Sequence, residues 1–213
     1  MISTEWIKKL EDARILRGNK IVINASDLPA WLGKSFYSSP SQLLQDKLLG
    51  KKVEPTAKMQ LGKDIEKFLI QKVIEATNVK ETEKELWQEN IEKVIGNYEG
   101  YDIVIQGKVD ALANSVSFVD DKMIVKRYVI EVKYMPTYSI AEINYDVPTW
   151  YEDQIYAYMY ILQRDAIFGA LCKDDFAVKF ISYQEKENEI KNMIEKITEV
   201  AKNIIDGNVH NLD

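Results

Sequence analysis

The stretch that decides the fold is residues 101–134, which read YDIVIQGKVDALANSVSFVDDKMIVKRYVIEVKY. Ahead of it, apolar residues recur at helical spacing. Within it, apolar and polar residues alternate, as in strands with one buried face. Asp120-Asp121 is its clearest turn signal. The alternation predicts an antiparallel meander with the strands Tyr101–Gln106, Lys108–Leu112, Val116–Val119 and Met123–Tyr134.

Helical patterns flank the meander on both sides. The helices predicted before it are Ser3–Arg17, a short one up to Leu32 that Ser26 or Asp27 would cap, Ser41–Leu49 and Lys58–Ala76. After it we expect a helix over Thr149–Gln163, a strand over Phe176–Ser182 and a helix over Glu185–Ile205. The segment Glu81–Val94 follows neither period. This order predicts an α/β fold in which a central mixed β-sheet, the meander plus one further strand, is flanked by helices.

The chain reads as a single domain over residues 1–213. Its 213 residues include only 5 prolines and 9 glycines, and they contain no linker, low-complexity tract or internal repeat. We expect an N-terminal helical region over residues 1–57, a core over 58–183 and a C-terminal helix over 184–213.

The composition excludes several classes of protein. With 28 basic and 34 acidic residues the net charge is −6, which argues against a passive nucleic-acid binder but not against an enzyme that gathers carboxylates around divalent cations. Cys172 is the only cysteine, so no internal disulfide, zinc ribbon or cysteine-ligated iron–sulfur cluster is expected, and a reducing cytoplasm fits. His210 is the only histidine, which speaks against a catalytic triad. No apolar run approaches the roughly 18 residues of a membrane helix, so no membrane partner is expected.

Three charged residues of the meander suggest a metal-dependent site. Glu131 and Lys133 alternate with apolar residues, so both point to one face of their strand. Asp110 would join that face if its strand pairs alongside. Carboxylates are ligands that suit Mg²⁺, with the Val132 carbonyl as a further ligand; a water activated by the metal would attack a phosphodiester, assisted by Lys133. The simpler interpretation is the solvent face of an amphipathic strand, because short motifs match by chance.

Two more polar residues lie on apolar helix faces. Glu66 falls at the edge of an apolar stripe, one turn after Gly62, where a carboxylate is costly unless it is paired or metal-bound. Gln154 lies within the apolar face of its helix, where an amide needs hydrogen-bond partners. Each has an ordinary alternative: a glutamate that reaches water, and a glutamine bonded to nearby backbone.

Taken in order, these motifs resemble a known nuclease superfamily. Gly62-x-x-x-Glu66, Gly107-x-x-Asp110, Glu131-x-Lys133 and Gln154-x-x-x-Tyr158 resemble the PD-(D/E)xK nucleases that carry the RecB-type motif. Further motifs are similar to the YqaJ viral recombinase and lambda exonuclease family: Asn24-Ala25-Ser26-Asp27-Leu28 with Leu32-Gly33, Trp6 with Arg17-Gly18, and Pro148-x-x-Tyr151-x-x-Gln154. The resemblance covers about residues 6–165. The sequence departs from the pattern at Val109, where the family has proline, and at Asn24, where it has threonine.

The resemblance implies a restriction-endonuclease-like core and a set of site residues. The catalytic set would be Glu66, Asp110, Glu131, Lys133 and Gln154, supported by Tyr151 and Tyr158. Glu66, Asp110, Glu131 and the Val132 carbonyl would hold one or two Mg²⁺ ions, for which Mn²⁺ would substitute, and no iron–sulfur cluster is implied. Ser26 and Arg17, with Asn24 and Lys34, would bind the 5′-phosphate of a DNA end within the N-terminal helical region, because a helix start favours an anion.

The implied function is a Mg²⁺-dependent exonuclease that degrades linear double-stranded DNA in the 5′→3′ direction during recombination. Its partners would be DNA, a single-strand annealing protein and further copies of itself in a ring-shaped trimer, located in the host cytoplasm if the source is viral. Two alternatives stay open. One is a RecB-like nuclease that acts on single-stranded DNA or as an endonuclease. The other is a non-catalytic DNA-binding protein with a decayed nuclease fold, against which the intact Asp110, Glu131 and Lys133 speak.

Overall fold

The computed structural model describes residues 2–51, 54–77, 79–82, 91–135, 137–145, 147–172 and 175–212. The helices are α1 (Thr4–Asp12), α2 (Leu28–Trp31), α3 (Pro40–Leu48), α4 (Ala57–Thr77), α5 (Ile140–Tyr145), α6 (Thr149–Leu162) and α7 (Glu187–Asp206). The strands are β1 (Leu16–Arg17), β2 (Lys20–Asn24), β3 (Lys80–Thr82), β4 (Ile91–Tyr98), β5 (Tyr101–Gly107), β6 (Ala111–Val119), β7 (Lys122–Tyr134), β8 (Asp165–Cys172) and β9 (Asp175–Ile181). Short 3₁₀ turns span Ala25–Asp27 and Val209–Asn211.

The described strands form two mixed sheets. The first has the order β1-β2-β5-β4, with β2 parallel to β5, and the second has the order β3-β6-β7-β8-β9, with β7 parallel to β8. The predicted α/β class is confirmed, but the strands divide over two sheets because the chain leaves the first sheet after Gly107. Residues 108–110 are not a strand, so the predicted strand Lys108–Leu112 is wrong in its first half. The β4–β5 and β6–β7 hairpins therefore lie in different sheets.

The first helix is shorter than its pattern predicts. It ends at Asp12, because Leu16–Arg17 pairs with Lys20–Ile21 as an antiparallel hairpin around Gly18, whose φ is +61°. The short helix α2 likewise starts without a side-chain cap, so the capping predicted for Ser26 or Asp27 is wrong. Within the unassigned segment Glu81–Val94, residues 83–90 lie outside the described residues, and β4 begins at Ile91.

Strand β8 is an interior strand of the second sheet that alternation does not predict. Ala166, Phe168 and Ala170 belong to the larger hydrophobic core, whereas Ile167 belongs to the smaller one on the other face of the sheet. Both faces of β8 are buried, so its sequence is apolar from Ala166 to Cys172 and carries no period of two. At Gly169 a Cβ atom would lie 2.4 Å from Val73 Cγ2, so only glycine lets α4 pack this closely.

Helices cover both faces of the second sheet. The smaller core lies between the sheet and α4 and contains Leu69, Val73 and Ile130, while the larger core lies beneath α6 and α7 and includes the first sheet. The long helix α7 ends at Gly207, whose φ of +72° is the usual left-handed helix end. None of the helices in the described residues has an apolar stretch long enough to cross a bilayer. The division of the chain at residues 57 and 183 stays a prediction.

Candidate active site

Asp110 is placed by a short loop that α6 holds in position. The Tyr158 hydroxyl on α6 donates to the Lys108 carbonyl at 2.9 Å. A Cβ atom on Gly107 would lie 2.5 Å from Tyr158 Cε1 and 3.0 Å from Ala25 Cβ, so the tyrosine ring requires glycine there. Asp110 Oδ2 then accepts a hydrogen bond from the Val132 backbone N–H at 2.8 Å. The pairing of β6 with β7, which begins at Ala111 opposite Ile130, brings the carboxylate to β7 as predicted, and this bond fixes it there.

Glu131 and Lys133 point to the same side of β7, as their alternation predicts. Their side chains form an ion pair between Glu131 Oε1 and Lys133 Nζ. Glu131 is 1% exposed, and its second oxygen, Oε2, has no hydrogen-bond partner in the described part of the chain. The Lys133 ammonium also lies 5.5 Å from the centre of the Tyr151 ring, within the range of a cation–π contact.

Burial and neighbouring charges both shift the pKa values of Glu131 and Lys133. Burial, and after it the charge of Asp110, raises the pKa of Glu131 above its usual value. Burial alone would lower the pKa of Lys133, but the carboxylates of Glu131 and Asp110 outweigh it and raise that pKa. Lys133 is therefore a permanent cation, suited to donating hydrogen bonds but not to acting as a base. The buried Glu131 favours a further cation or a proton beside it.

Glu66 joins this group from α4. Its side chain is half-buried, and burial followed by the charge of Asp110 raises the pKa of its carboxyl group. Open space surrounds Gly62 one turn earlier, since a Cβ atom there would meet nothing within 4 Å. In the part of the chain that the structure describes, no three acidic, histidine or cysteine side chains stand in a ready metal-binding arrangement. Asp110 and Glu131 are instead bonded to the Val132 amide and to Lys133.

Gln154 contacts the site indirectly. Its Nε2 donates to the Tyr158 hydroxyl at 2.9 Å, and that hydroxyl holds the Lys108 carbonyl, so the amide supports the loop that carries Asp110. Burial, and after it the charge of Glu131, raises the pKa of Tyr158, which keeps its hydroxyl protonated as a donor. Gln154 itself is half-buried, whereas its place within the apolar face predicts a buried amide, because this side of α6 borders the site.

A second polar cluster forms where β2 and β5 end side by side. Arg17 Nη1 donates to Gln106 Oε1 at 3.3 Å, and Gln106 Nε2 donates to Asn24 Oδ1 at 2.8 Å. Asn24 Nδ2 donates in turn to Asp27 Oδ2 at 2.9 Å, and Lys47 pairs with the same oxygen at 2.8 Å. Gln106, a member of this chain of contacts, directly precedes Gly107, so the two clusters adjoin.

The structure brings together most of the residues predicted to bind a phosphate. Arg17 and Asn24 belong to the second cluster, and Ser26 is exposed in the turn between them and α2. Lys34 instead pairs with Asp153 on α6 at 2.8 Å. The sequence motifs do not include Gln106, which is 8% exposed and bridges Arg17 to Asn24. Its signal in the sequence is that it is the one amide in the otherwise apolar run from Ile103.

No protein-family model and no curated protein sequence matches the chain. Solved structures do match it, among them two of LHK-Exo. One is LHK-Exo in complex with dAMP, with 18% sequence identity, a TM-score of 0.58, and coverage of 95% of this chain and 94% of that chain. The other is the alkaline exonuclease LHK-Exo from Laribacter hongkongensis, with 20% identity, a TM-score of 0.57 and the same coverage. Over nearly its whole length, the chain therefore has the fold of LHK-Exo, in agreement with the fold that the resemblance of its motifs implies.

Proposed function

We propose that the chain is a DNA exonuclease whose phosphodiester hydrolysis takes place at Asp110, Glu131 and Lys133 with Mg²⁺. The observation that carries the proposal is the buried Glu131 Oε2, which has no hydrogen-bond partner in the described residues and lies in the field of Asp110. Ionising a carboxyl group buried in this way is costly unless a cation in addition to Lys133 neutralises the charge. The fold shared with an alkaline exonuclease supports the same class of reaction.

The donor set fits a divalent cation. Asp110, Glu131 and Glu66 supply carboxylate oxygens and Val132 supplies a carbonyl, which are the hard ligands that Mg²⁺ and Mn²⁺ prefer. When bound, the metal would lower the pKa of a water molecule and would neutralise negative charge on the phosphate. Lys133, held between Glu131 and the Tyr151 ring, would donate to a phosphate oxygen or to the attacking water. Gln154 and Tyr158 would keep Asp110 in place by holding the Lys108 carbonyl.

The second polar cluster supports action on a DNA end. Arg17 is exposed and oriented by the buried Gln106, and the exposed Ser26 hydroxyl lies in the adjoining turn. A terminal 5′-phosphate bound there would lie next to the Asp110 loop, which agrees with 5′→3′ degradation of linear double-stranded DNA. Asn24 would contribute through its bond to Gln106, and Lys34 would contribute charge at the rim.

A ring-shaped trimer and an annealing partner are further expectations, and light scattering of the purified protein would measure the oligomeric state.

The test is a comparison of DNA substrates. Linear duplex with a 5′-phosphate should be degraded in Mg²⁺ or Mn²⁺, whereas closed-circular duplex should persist and EDTA should stop the reaction. Full activity in EDTA would overturn the metal site. Equal cutting of circular DNA would favour the endonuclease alternative. The substitution Arg17→Glu should weaken the binding of 5′-phosphorylated ends more than Lys191→Glu on α7 does, and equal losses would mean that the phosphate site is wrongly placed.

A further inference from the structure

A line of aromatic rings runs from the candidate active site to the surface. The Tyr151 ring, which contacts the Lys133 ammonium, lies 6.0 Å from the ring of Trp150. Trp150 in turn meets Tyr138 at 5.7 Å and Phe36 at 5.1 Å, both between ring centres. We call these four rings, together with Tyr37, the aromatic strip. Its inner end is the site, and its outer end is the loop between α2 and α3.

The outer end of the strip is open to solvent although its loop is held in place. Phe36 is 80% exposed and Tyr37 is 96% exposed. The loop is fastened to α6 by the ion pair between Lys34 and the almost fully buried Asp153, and α3 begins directly after it at Pro40. Phe36 meets Trp150 at 73°, an edge contact that leaves a face of the phenylalanine ring uncovered. Exposed aromatic side chains on an anchored loop are typical of a binding surface.

We propose that the aromatic strip is a stacking surface for unpaired bases of the DNA strand whose phosphodiester lies at the carboxylates. Bases of any sequence stack on aromatic faces, and single-strand-binding proteins use such platforms beside their backbone contacts. The strip itself contributes rings rather than cations, so it suits bases rather than phosphates. Its continuity with Lys133 through Tyr151 places the bases on the path of the strand that enters the site.

This inference rests on the proposed function and adds to it. A strand that reaches the carboxylates along the strip has left its duplex over the nucleotides next to the cleaved bond. The substrate at the site is therefore single-stranded locally, even if the DNA that is supplied is double-stranded. The strip would hold the separated strand without selecting its sequence, because every base has a face that can stack.

The test measures binding without cleavage. A fluorescent oligothymidylate of about 12 nucleotides, a length within known single-strand site sizes, is titrated with protein in EDTA and followed by anisotropy. The substitutions Phe36→Leu and Tyr37→Leu keep apolar bulk but remove the ring, and each should weaken binding by about tenfold. Phe36→Trp keeps an aromatic ring, so this variant should bind the oligonucleotide as tightly as the wild-type protein does. The matched control is Phe180→Leu on β9, an exposed ring in contact with Tyr128 but outside the strip, which should leave binding unchanged.

Tryptophan fluorescence gives a second, independent readout. The oligothymidylate should quench the emission of the wild-type protein, and Trp150→Phe should remove most of the quenching. The folded state of each variant is checked by its thermal unfolding, which Phe36→Leu should leave unchanged because the residue is exposed.

Four results would overturn the inference. They are a wild-type protein that does not bind the oligothymidylate, Phe36→Leu binding as tightly as wild type, an equal loss for Phe36→Leu and Phe180→Leu, and a change in oligomeric state in place of a change in DNA binding. If the wild-type protein degrades DNA in Mg²⁺ but Phe36→Leu binds normally, the proposed function stands. The aromatic strip is then not a stacking surface. Ring-dependent binding by a protein that degrades no DNA would refute the proposed function and support the strip.

Discussion

Asp110 and Glu66 face the same site but are held in opposite ways. Asp110 lies on a loop that is fixed by the Tyr158 hydroxyl, by the close packing at Gly107 and by a bond to the Val132 amide. Glu66 lies half-buried on α4, with open space around Gly62 one turn away. One side of the site is therefore preorganised, and the other side can adapt. A rigid side fixes the charges that the reaction needs, and an open side admits metal and substrate.

The largest effect should come from removing a charge on the rigid side. Asp110→Asn, Glu131→Gln and Lys133→Ala should each lower nuclease activity by about a hundredfold or more, because in the proposed reaction each group would act directly on the phosphate or its metal. Glu66→Ala on the open side should cost about tenfold. The control is Glu199→Gln on the exposed face of α7. A Glu131→Gln protein as active as wild type would contradict the assignment of the site.

Replacing glycine by alanine should have opposite effects on the free energy of unfolding on the two sides of the site. Gly107→Ala places a methyl group 2.5 Å from the Tyr158 ring, and overpacking of this kind destabilises a protein by about 1–3 kcal/mol. Gly62→Ala meets no neighbour and replaces a helical glycine, so it should stabilise the fold by up to about 1 kcal/mol. Urea unfolding of both variants measures the difference. Equal free energies of unfolding would mean that the Asp110 loop is not fixed by Tyr158.

Removing the Tyr158 hydroxyl should weaken the affinity for Mg²⁺ and not only the stability of the fold. Tyr158→Phe leaves the Lys108 carbonyl without its donor and frees the loop that carries Asp110. The Mg²⁺ concentration for half-maximal activity should rise by about tenfold, as is usual for groups that orient metal ligands. Gln154→Ala, which acts through the same hydroxyl, should have a smaller effect. A merely structural role would lower the melting temperature of these variants and leave their Mg²⁺ requirement unchanged.

The smallest effect concerns pH. Because the folded protein raises the pKa of Glu131, the folded state holds a proton there that the unfolded state has lost, so stability in EDTA should fall as pH rises above about 5. Glu131→Gln cannot ionise and should show a shallower fall. Glu66 and Asp153 also have raised pKa values, so the comparison with wild type isolates the share of Glu131. Mg²⁺ should raise the melting temperature more at about pH 8 than at about pH 6, since its ligands must be deprotonated. An identical pH dependence in both proteins would refute this account.

The site was more predictable from the sequence than the sheet topology. Alternation alone puts Glu131 and Lys133 on one side of a strand, and the structure agrees. It also suggests that Asp110 lies beside them through strand pairing; β6 does pair with β7 from Ala111, but the bond from the Val132 amide to the Asp110 side chain is not predictable from alternation. Alternation fails at β8 because both faces are buried, and that strand decides the arrangement of the second sheet.

Other features depend on contacts that no local pattern contains. Gln106 is visible as an amide that ends an apolar strand, but its partners Arg17 and Asn24 come from β1 and β2. The edge contacts of the aromatic strip join the α2–α3 loop to the start of α6. Such pairs become apparent only when the elements are placed in space.

The parallel pairing of β7 with β8 sets the order in which the protein can assemble. Parallel neighbours cannot be joined by a tight turn, and here α5 and α6 make the crossover between them. Contacts between segments so distant in sequence form slowly during folding. Glu131 loses its access to water only when β8 lies beside β7 and α6 closes over them. During synthesis the candidate site therefore cannot be fully buried until the chain has been extended through β8, and an unfinished chain carries the motifs without the finished site.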